Sequence, residues 1–261
     1  MFWNLFTTSL ELRSGDDQHW REQVAVVRRH QPDVLAVTEC WDWQLDDQAL
    51  FRRAQEEFGY PDGVLYEAKT NCNMAVFCKP EIELLSSKGQ PQHEAFWHGY
   101  LRTTLRLPDS AEPFTVLLSH LNPFDPTLRR IEASWLRTAL RSHQHGVLVM
   151  DANTVPPGDP EPGRSLARDQ VGEQRCDRIP LAGLAEAGLV DVAAAFDDRR
   201  PTFGYHGHTA EVAVSASPVR LDQAWATPSV EVSSYRVIDG DAGSPETNTA
   251  SDHRPIMINM R

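Results

Sequence analysis

The chain has 261 residues, with 25 basic against 37 acidic side chains, a formal charge of −12, 41% apolar residues and 24% charged ones. That is globular composition, which excludes a wholly disordered chain, and the acidic balance excludes a protein that grips nucleic acid by bulk positive charge. An enzyme that meets phosphates at a cation-loaded cleft stays open, because a bound cation inverts the local sign.

Residues 1–6 alternate apolar and polar as a buried strand does. Residues 17–30 predict a helix with Trp20, Val24 and Val27 on one face. Pro32-Asp33 breaks it, and Val34-Leu35-Ala36-Val37 reads as a strand ending at Thr38-Glu39. A second helix follows over 46–58, with Leu50, Ala54 and Phe58 in register, and then strand-like runs at 63–66, 74–78, 82–85, 101–107 and 114–118. Residues 126–142 carry Leu128, Ile131, Trp135, Leu136 and Leu140 at helical spacing, and 147–150 is a further buried strand with Asp151 at its end. Residues 154–178 are rich in Pro, Gly and charge and read as a long surface loop. A short helix at 181–187, strands at 219–225, 230–238 and 255–259, and a polar loop at 240–249 complete the chain. There is no repeat, heptad or shift in composition, so one domain over 1–261 is expected. Helices separated by two to four strands disfavour a doubly wound sheet and favour an α/β fold of two sheets packed face to face, helices outside.

No run nears the ~18 apolar residues of a membrane span. Met1-Phe2-Trp3-Asn4-Leu5-Phe6 has no basic leader or small-residue cleavage site, so a soluble chain without a signal peptide is expected. Cys40, Cys72, Cys78 and Cys176 are too scattered for a disulfide framework or a zinc site and read as reduced thiols of a cytoplasmic protein.

The polar residues of interest share one property, a place at the end of a strand-like run. Asn4 lies in the first strand, Glu39 follows 34–37, and His120 follows 114–119. Asp151 and Asn153 follow 147–150, Asp222 ends 219–222, and Asp252-His253 precede the last strand. One such carboxylate reads as a turn or helix cap. Several together point to a shared rim, where loops of layered α/β folds build active sites. Asn, Glu and Asp supply hard oxygens suited to Mg²⁺ or Mn²⁺, and two histidines supply proton transfer and phosphate contact. That combination suggests metal-assisted phosphoester hydrolysis.

The ordered blocks Trp3-Asn4, Pro32-Asp33-Val34-Leu35-Ala36-Val37-Thr38-Glu39, Ser119-His120-Leu121, Met150-Asp151-Ala152-Asn153, Arg220-Leu221-Asp222 and Ser251-Asp252-His253-Arg254-Pro255 resemble the endonuclease/exonuclease/phosphatase superfamily over essentially the whole chain. The resemblance implies a four-layer α/β/β/α sandwich of two mixed sheets with the site at one edge. It implies Glu39 as principal metal ligand, with Asn4 and Asp252 completing or supporting the shell. Asp151 and Asn153 would orient the water and bind the scissile phosphate. His253, held by Asp222, would be the general base or an electrostatic partner of the phosphate, and His120 would stabilise the oxyanion or protonate the leaving oxygen. Phe6 stands where the abasic-site enzymes carry Asp, which argues against that subgroup. Thr38 replaces a usual Gln, Met150 replaces a usual Gly, and residues 71–76 lack the glycine common before the corresponding strand.

Around this set, Arg102 shares a strand face with Arg106 and is expected to reach a phosphate. Phe203, in Pro201-Thr202-Phe203-Gly204, is expected to touch substrate. Trp41, like Trp43, is expected either to stack on a substrate ring or to staple the following helix. His206-Gly207-His208 reads as a solvated or substrate-facing turn, and His143 and His145 as caps of the preceding helix. The expected partner is a phosphate-ester substrate, small molecule or nucleic acid, with no obligate protein partner. The alternatives are the same fold repurposed for another reaction, and a non-catalytic binding module.

Overall fold

The computed structural model describes residues 1–89, 95–108, 110–160, 177–204, 218–240 and 244–261. The strands are β1 (Phe2–Asn4), β2 (Val34–Trp41), β3 (Asp62–Tyr66), β4 (Cys72–Cys78), β5 (Glu83–Gly89), β6 (Tyr100–Arg106), β7 (Phe114–His120), β8 (Gly146–Asp151), β9 (Val190–Asp191), β10 (Asp222–Ala226), β11 (Val232–Val237) and β12 (Ile256–Met260). The helices are α1 (Thr8–Ser14), α2 (Gln18–His30), α3 (Leu45–Phe58), α4 (Pro126–Arg141), α5 (Ile179–Glu186) and α6 (Val192–Ala195). One sheet has the order β11-β12-β1-β2-β4-β3, and the other β5-β6-β7-β8-β10-β9.

Three apolar layers explain the stacking. Between the sheets, Phe2, Ala36, Met74 and Val76 meet Leu101, Leu105, Val116, Leu118, Val147 and Val149. The opposite face of the first sheet, with Trp3, Leu35, Val37, Ala75 and Phe77, packs on Trp20, Val27, Phe51, Ala54 and Phe58 of α2 and α3. The outer face of the second sheet, with Leu117, Leu148, Met150 and Trp225, packs on Leu136, Leu140, Leu181 and Leu184 of α4 and α5. The result is the expected α/β/β/α order: period-2 strands buried on both faces, each sheet covered by helices with one apolar stripe.

Two local readings differ. Residues 8–14 form α1, which follows Thr7 and ends on Gly15 in the left-handed region at φ 97; at seven residues it is too short for an apolar stripe to mark it. Strand β5 extends to Gly89, paired with Leu101, beyond the predicted end at 85. Its Ser86, Ser87 and Lys88 are exposed on a sheet edge, where no apolar alternation marks the pairing. His206, His208 and Cys176, and most of the predicted 154–178 loop, lie outside the described residues. Among the described residues, no helix is long and apolar enough to cross a membrane.

Candidate active site

The parallel pairs β1–β2 and β7–β8 place four strand C-termini at one edge of the sandwich. Asn4 joins the two sheets there: its Nδ2 donates to Glu39 Oε1 at 2.9 Å and to Asp151 Oδ2 at 2.9 Å. The orientation of the amide is fixed chemically, because its Oδ1 accepts from the Phe6 backbone N–H at 2.9 Å, and that partner can only donate. In the structure Asn4 bridges two carboxylates with its oxygen turned to the backbone, a place from which it supports Glu39.

Glu39 owes its aim to a bulge. The β2–β4 register slips between Thr38 and Cys40, and Glu39 is the extra residue, at φ 59. Phe6 at φ 56 and Asn153 at φ 47 also sit in the left-handed region. Such conformations in non-glycine residues cost on the order of 1 kcal/mol each, and three of the ten among the described residues border this cluster of polar side chains. The second Glu39 oxygen accepts from Trp41 Nε1 at 3.0 Å. Trp41 therefore orients a carboxylate, while Trp43 is buried, donating to Ser9 Oγ at 2.6 Å beneath α1.

Asp151 is the hub. Its Oδ2 lies 3.5 Å from His120 Nε2 and 3.7 Å from His253 Nε2, and its Oδ1 accepts from the Asn153 N–H at 2.9 Å. Burial disfavours its ionisation, but His253, His120 and the Asn153 and Asn4 donors together hold its carboxyl below the usual range. The Asn153 side chain donates to the Leu121 carbonyl at 3.0 Å, which ties the two strand ends together.

His253 Nδ1 is 2.8 Å from Asp222 Oδ2, and its Nε2 is 3.9 Å from Asp252 Oδ1. Burial works to lower the imidazole, yet Asp222, Asp252 and Asp151 outweigh it and push it up to about 10. Asp252 goes up to about 7, through burial and the neighbouring Glu39, Asp151 and Asp222 charges, against the pull of His253. The backbone around the pair is held by residues that stand in the quoted blocks but are given no role there. Ser251 Oγ donates to Asn4 O at 2.8 Å and accepts from His253 N at 3.1 Å. Trp3 Nε1 donates to His253 O at 3.0 Å, and Thr202 Oγ1 accepts from the Leu221 and Asp222 N–H groups. Phe203 lies against the His253 ring, centroids 4.9 Å apart, at a bridge pairing it with both Val219 and His253.

Arg102 is not brought to the cluster. Its Nη1 is 3.4 Å from His143 Nε2, beyond the C-terminus of α4, the helix that leads away from His120 to the start of β8. Parity put Arg102 and Arg106 on one face correctly, but that face is the outer one, and Arg106 pairs with Glu83.

Arg220, buried two residues before Asp222, makes a fork to Asp159 with both bonds at 2.8 Å and bonds to Asp191 at 2.9 and 2.8 Å. Replacing it with Ala is expected to cost about 3 kcal/mol of folding stability, because Asp191 loses its cation and the buried Asp159 keeps only Arg199, at 2.9 Å. Urea unfolding at neutral pH checks this, and an unchanged midpoint would show the network to be stability-neutral.

The donor set suits a hard divalent cation. The candidate ligand atoms of Glu39, His120 and Asp151 lie within 4.8 Å of one another. Among the described residues, Asp252 Oδ1 is buried with no hydrogen-bond partner, which leaves it open to a cation.

A family model described as Endonuclease/Exonuclease/phosphatase family matches residues 1–253. No curated protein matches the chain. Among solved structures, the chain is similar to D. rerio TDP2 complexed with a single-strand DNA product, at TM-score 0.69 and 14% identity, covering 100% of this chain and 97% of that one. It is similar to the Bacteroides thetaiotaomicron VPI-5482 mannosyl-6-phosphatase at TM-score 0.63 and 13% identity, covering 100% and 98%. It is also similar to ANGEL2, a 2',3'-cyclic phosphatase in complex with adenosine-2',3'-vanadate, at TM-score 0.65 and 15% identity, covering 98% and 93%.

Proposed function

The chain belongs to the Endonuclease/Exonuclease/phosphatase family, and from that membership we propose that it is a phosphoester hydrolase using a hard divalent cation, Mg²⁺ or Mn²⁺. The observation that carries the reading is the hub: Asp151 is kept anionic between His120 and His253 and tied through Asn4 to Glu39.

Glu39 and Asp252 would hold the ion, with Asp151 facing it. When bound, the ion supplies neutralising charge to the phosphoryl oxygens and the leaving group. Asp151, its carboxyl held below the usual range by His253, His120 and the Asn153 and Asn4 donors, orients and deprotonates the attacking water. His253, held as the imidazolium, donates Nδ1–H to Asp222 and offers Nε2–H to a phosphoryl oxygen as a charge-assisted donor. His120 stabilises the oxyanion or protonates the leaving oxygen, and Asn153 holds the Asp151 loop against β7. Trp41 positions Glu39, and Phe203 walls His253.

Nucleotides, small organic phosphates and short nucleic acids are the substrate classes that fit. The named relatives include a 2',3'-cyclic phosphatase, a mannosyl-6-phosphatase and a protein bound to single-strand DNA product. The chain's charge of −12 weighs against a long duplex. Free, buried Cys40, Cys72 and Cys78 fit a reducing compartment such as the cytoplasm.

Hydrolysis of bis-p-nitrophenyl phosphate, nucleotides, sugar phosphates, RNA and single- and double-stranded DNA, with Mg²⁺, Mn²⁺ or EDTA, tests the reading. The expected result is turnover abolished by EDTA, restored by Mg²⁺ or Mn²⁺ and absent in His253→Ala. A folded protein that binds Mg²⁺ and cleaves none of these esters would point to the same fold turned to another reaction.

A further inference from the structure

Two large aromatic rings stand open on the rim beside the catalytic histidines. Trp97 is 38% exposed and Phe124 is 59% exposed, and they meet edge to face, 5.9 Å apart at 87°. Trp97 also meets His98 edge to face at 6.3 Å, and His98 stacks on His120 at 4.4 Å and 21°. A continuous line of rings therefore runs from the reacting centre out to solvent.

The two rings sit on held backbone. Glu132 of α4 is fully buried, and its two carboxylate oxygens accept from the Trp97 and Asn122 N–H groups, each at 2.7 Å. Asn122 Oδ1 in turn accepts from the Phe124 N–H at 2.7 Å, and buried Arg129 donates to the Asn122 carbonyl at 2.7 Å. One carboxylate thus clamps both loops, although burial pushes its carboxyl up to about 7 and so works against the arrangement. A buried charge spent on two exposed rings is hard to reconcile with packing alone, since neither ring is part of the described core clusters.

We infer that Trp97 and Phe124 form a stacking corner for a single nucleobase, making the substrate a nucleoside phosphate ester. This rests on the hydrolase reading above and names its substrate class. Two observations select a base. Rings at right angles accept one planar group, face to one and edge to the other, and cannot continue a parallel stack of successive bases. The acidic chain also disfavours a long polyanion.

The test compares kcat/KM for the methyl ester of AMP with that for the methyl ester of ribose 5-phosphate, which lacks the base. The wild type is expected to favour the AMP ester, and Trp97→Ala and Phe124→Ala each to lower that preference about tenfold, equivalent to ~1.4 kcal/mol. Trp97→Phe should keep most of it. Quenching of tryptophan fluorescence by AMP without added metal gives a second readout, reduced in Trp97→Phe. An unchanged preference in both alanine variants, with hydrolysis intact, would overturn the corner and leave the hydrolase standing. Equal losses on the two esters would likewise overturn it, in favour of a packing role. Failure to cleave these esters or any of the panel above, with AMP still quenching Trp97, would sink the hydrolase and keep the corner. A trinucleotide bound more tightly than AMP would overturn the one-base assignment.

Discussion

Asp222→Asn is expected to lower turnover by about 10²–10⁴-fold while leaving Mg²⁺ affinity little changed. Asp222 is fully buried and touches His253 Nδ1 at 2.8 Å, and it is the largest of the carboxylate contributions that lift that imidazole to about 10. An amide keeps the shape but removes the charge, so the His253 titration, followed by NMR of the metal-free protein, should move to lower pH. The sign for stability follows from the same shift. A histidine raised from 6.5 to about 10 contributes stability in full below pH 6.5 and loses it as pH climbs toward 10. The stability deficit of Asp222→Asn should therefore narrow as pH climbs above neutrality, and narrow again in acid, where Asp222, its carboxyl raised by burial, takes up a proton and the wild type loses the same charge. Lost metal affinity, measured by calorimetry, would place Asp222 in the ion's shell and contradict its role as the partner of His253.

Glu39→Gln is expected to raise the Mg²⁺ concentration needed for half-maximal activity by at least about 10–100-fold and to cut turnover strongly, with the fold intact. Both Glu39 oxygens accept hydrogen bonds, from Asn4 and Trp41, and a glutamine can offer an acceptor to only one of these donors. The variant thus loses a ligand charge and also turns an amide N–H toward another N–H. A Mg²⁺ titration of activity, read beside circular dichroism, checks this. Unchanged activity would remove Glu39 from the site.

The sandwich was readable because its helices and central strands carry strong periods. Residues 17–30 and 126–142 were placed to within a residue or so by their apolar stripes, and 74–78 and 147–150 by continuous apolar runs. The short α1 and the polar edge of β5 carry neither signal, and their structure comes from what they pack against. At the site, the positions of Glu39, Asp151, Asp222 and His253 were readable as strand ends and as blocks in a recognised order. Their orientation was not. The direction of the Asn4 amide depends on the Phe6 N–H, and the face of Arg102 depends on which side of its sheet α4 covers. The rings of Trp97 and Phe124 lie 27 positions apart and meet only because Glu132, on a third segment, binds both loops.

The extra residue in β2 has a consequence for how this site can change over generations. Before it, Leu35 and Val37 face the helices; after it, Cys40 does, so the strand's odd–even alternation has slipped by one position. Excising any one residue from 38–40 would restore the alternation and close the bulge that aims the Glu39 carboxylate, while Trp41 kept its face. Exchanges of one side chain for another leave that phase untouched. Drift in this segment is thus open to substitution and closed to single-residue insertion or deletion, and the length of β2 carries as much information as its letters.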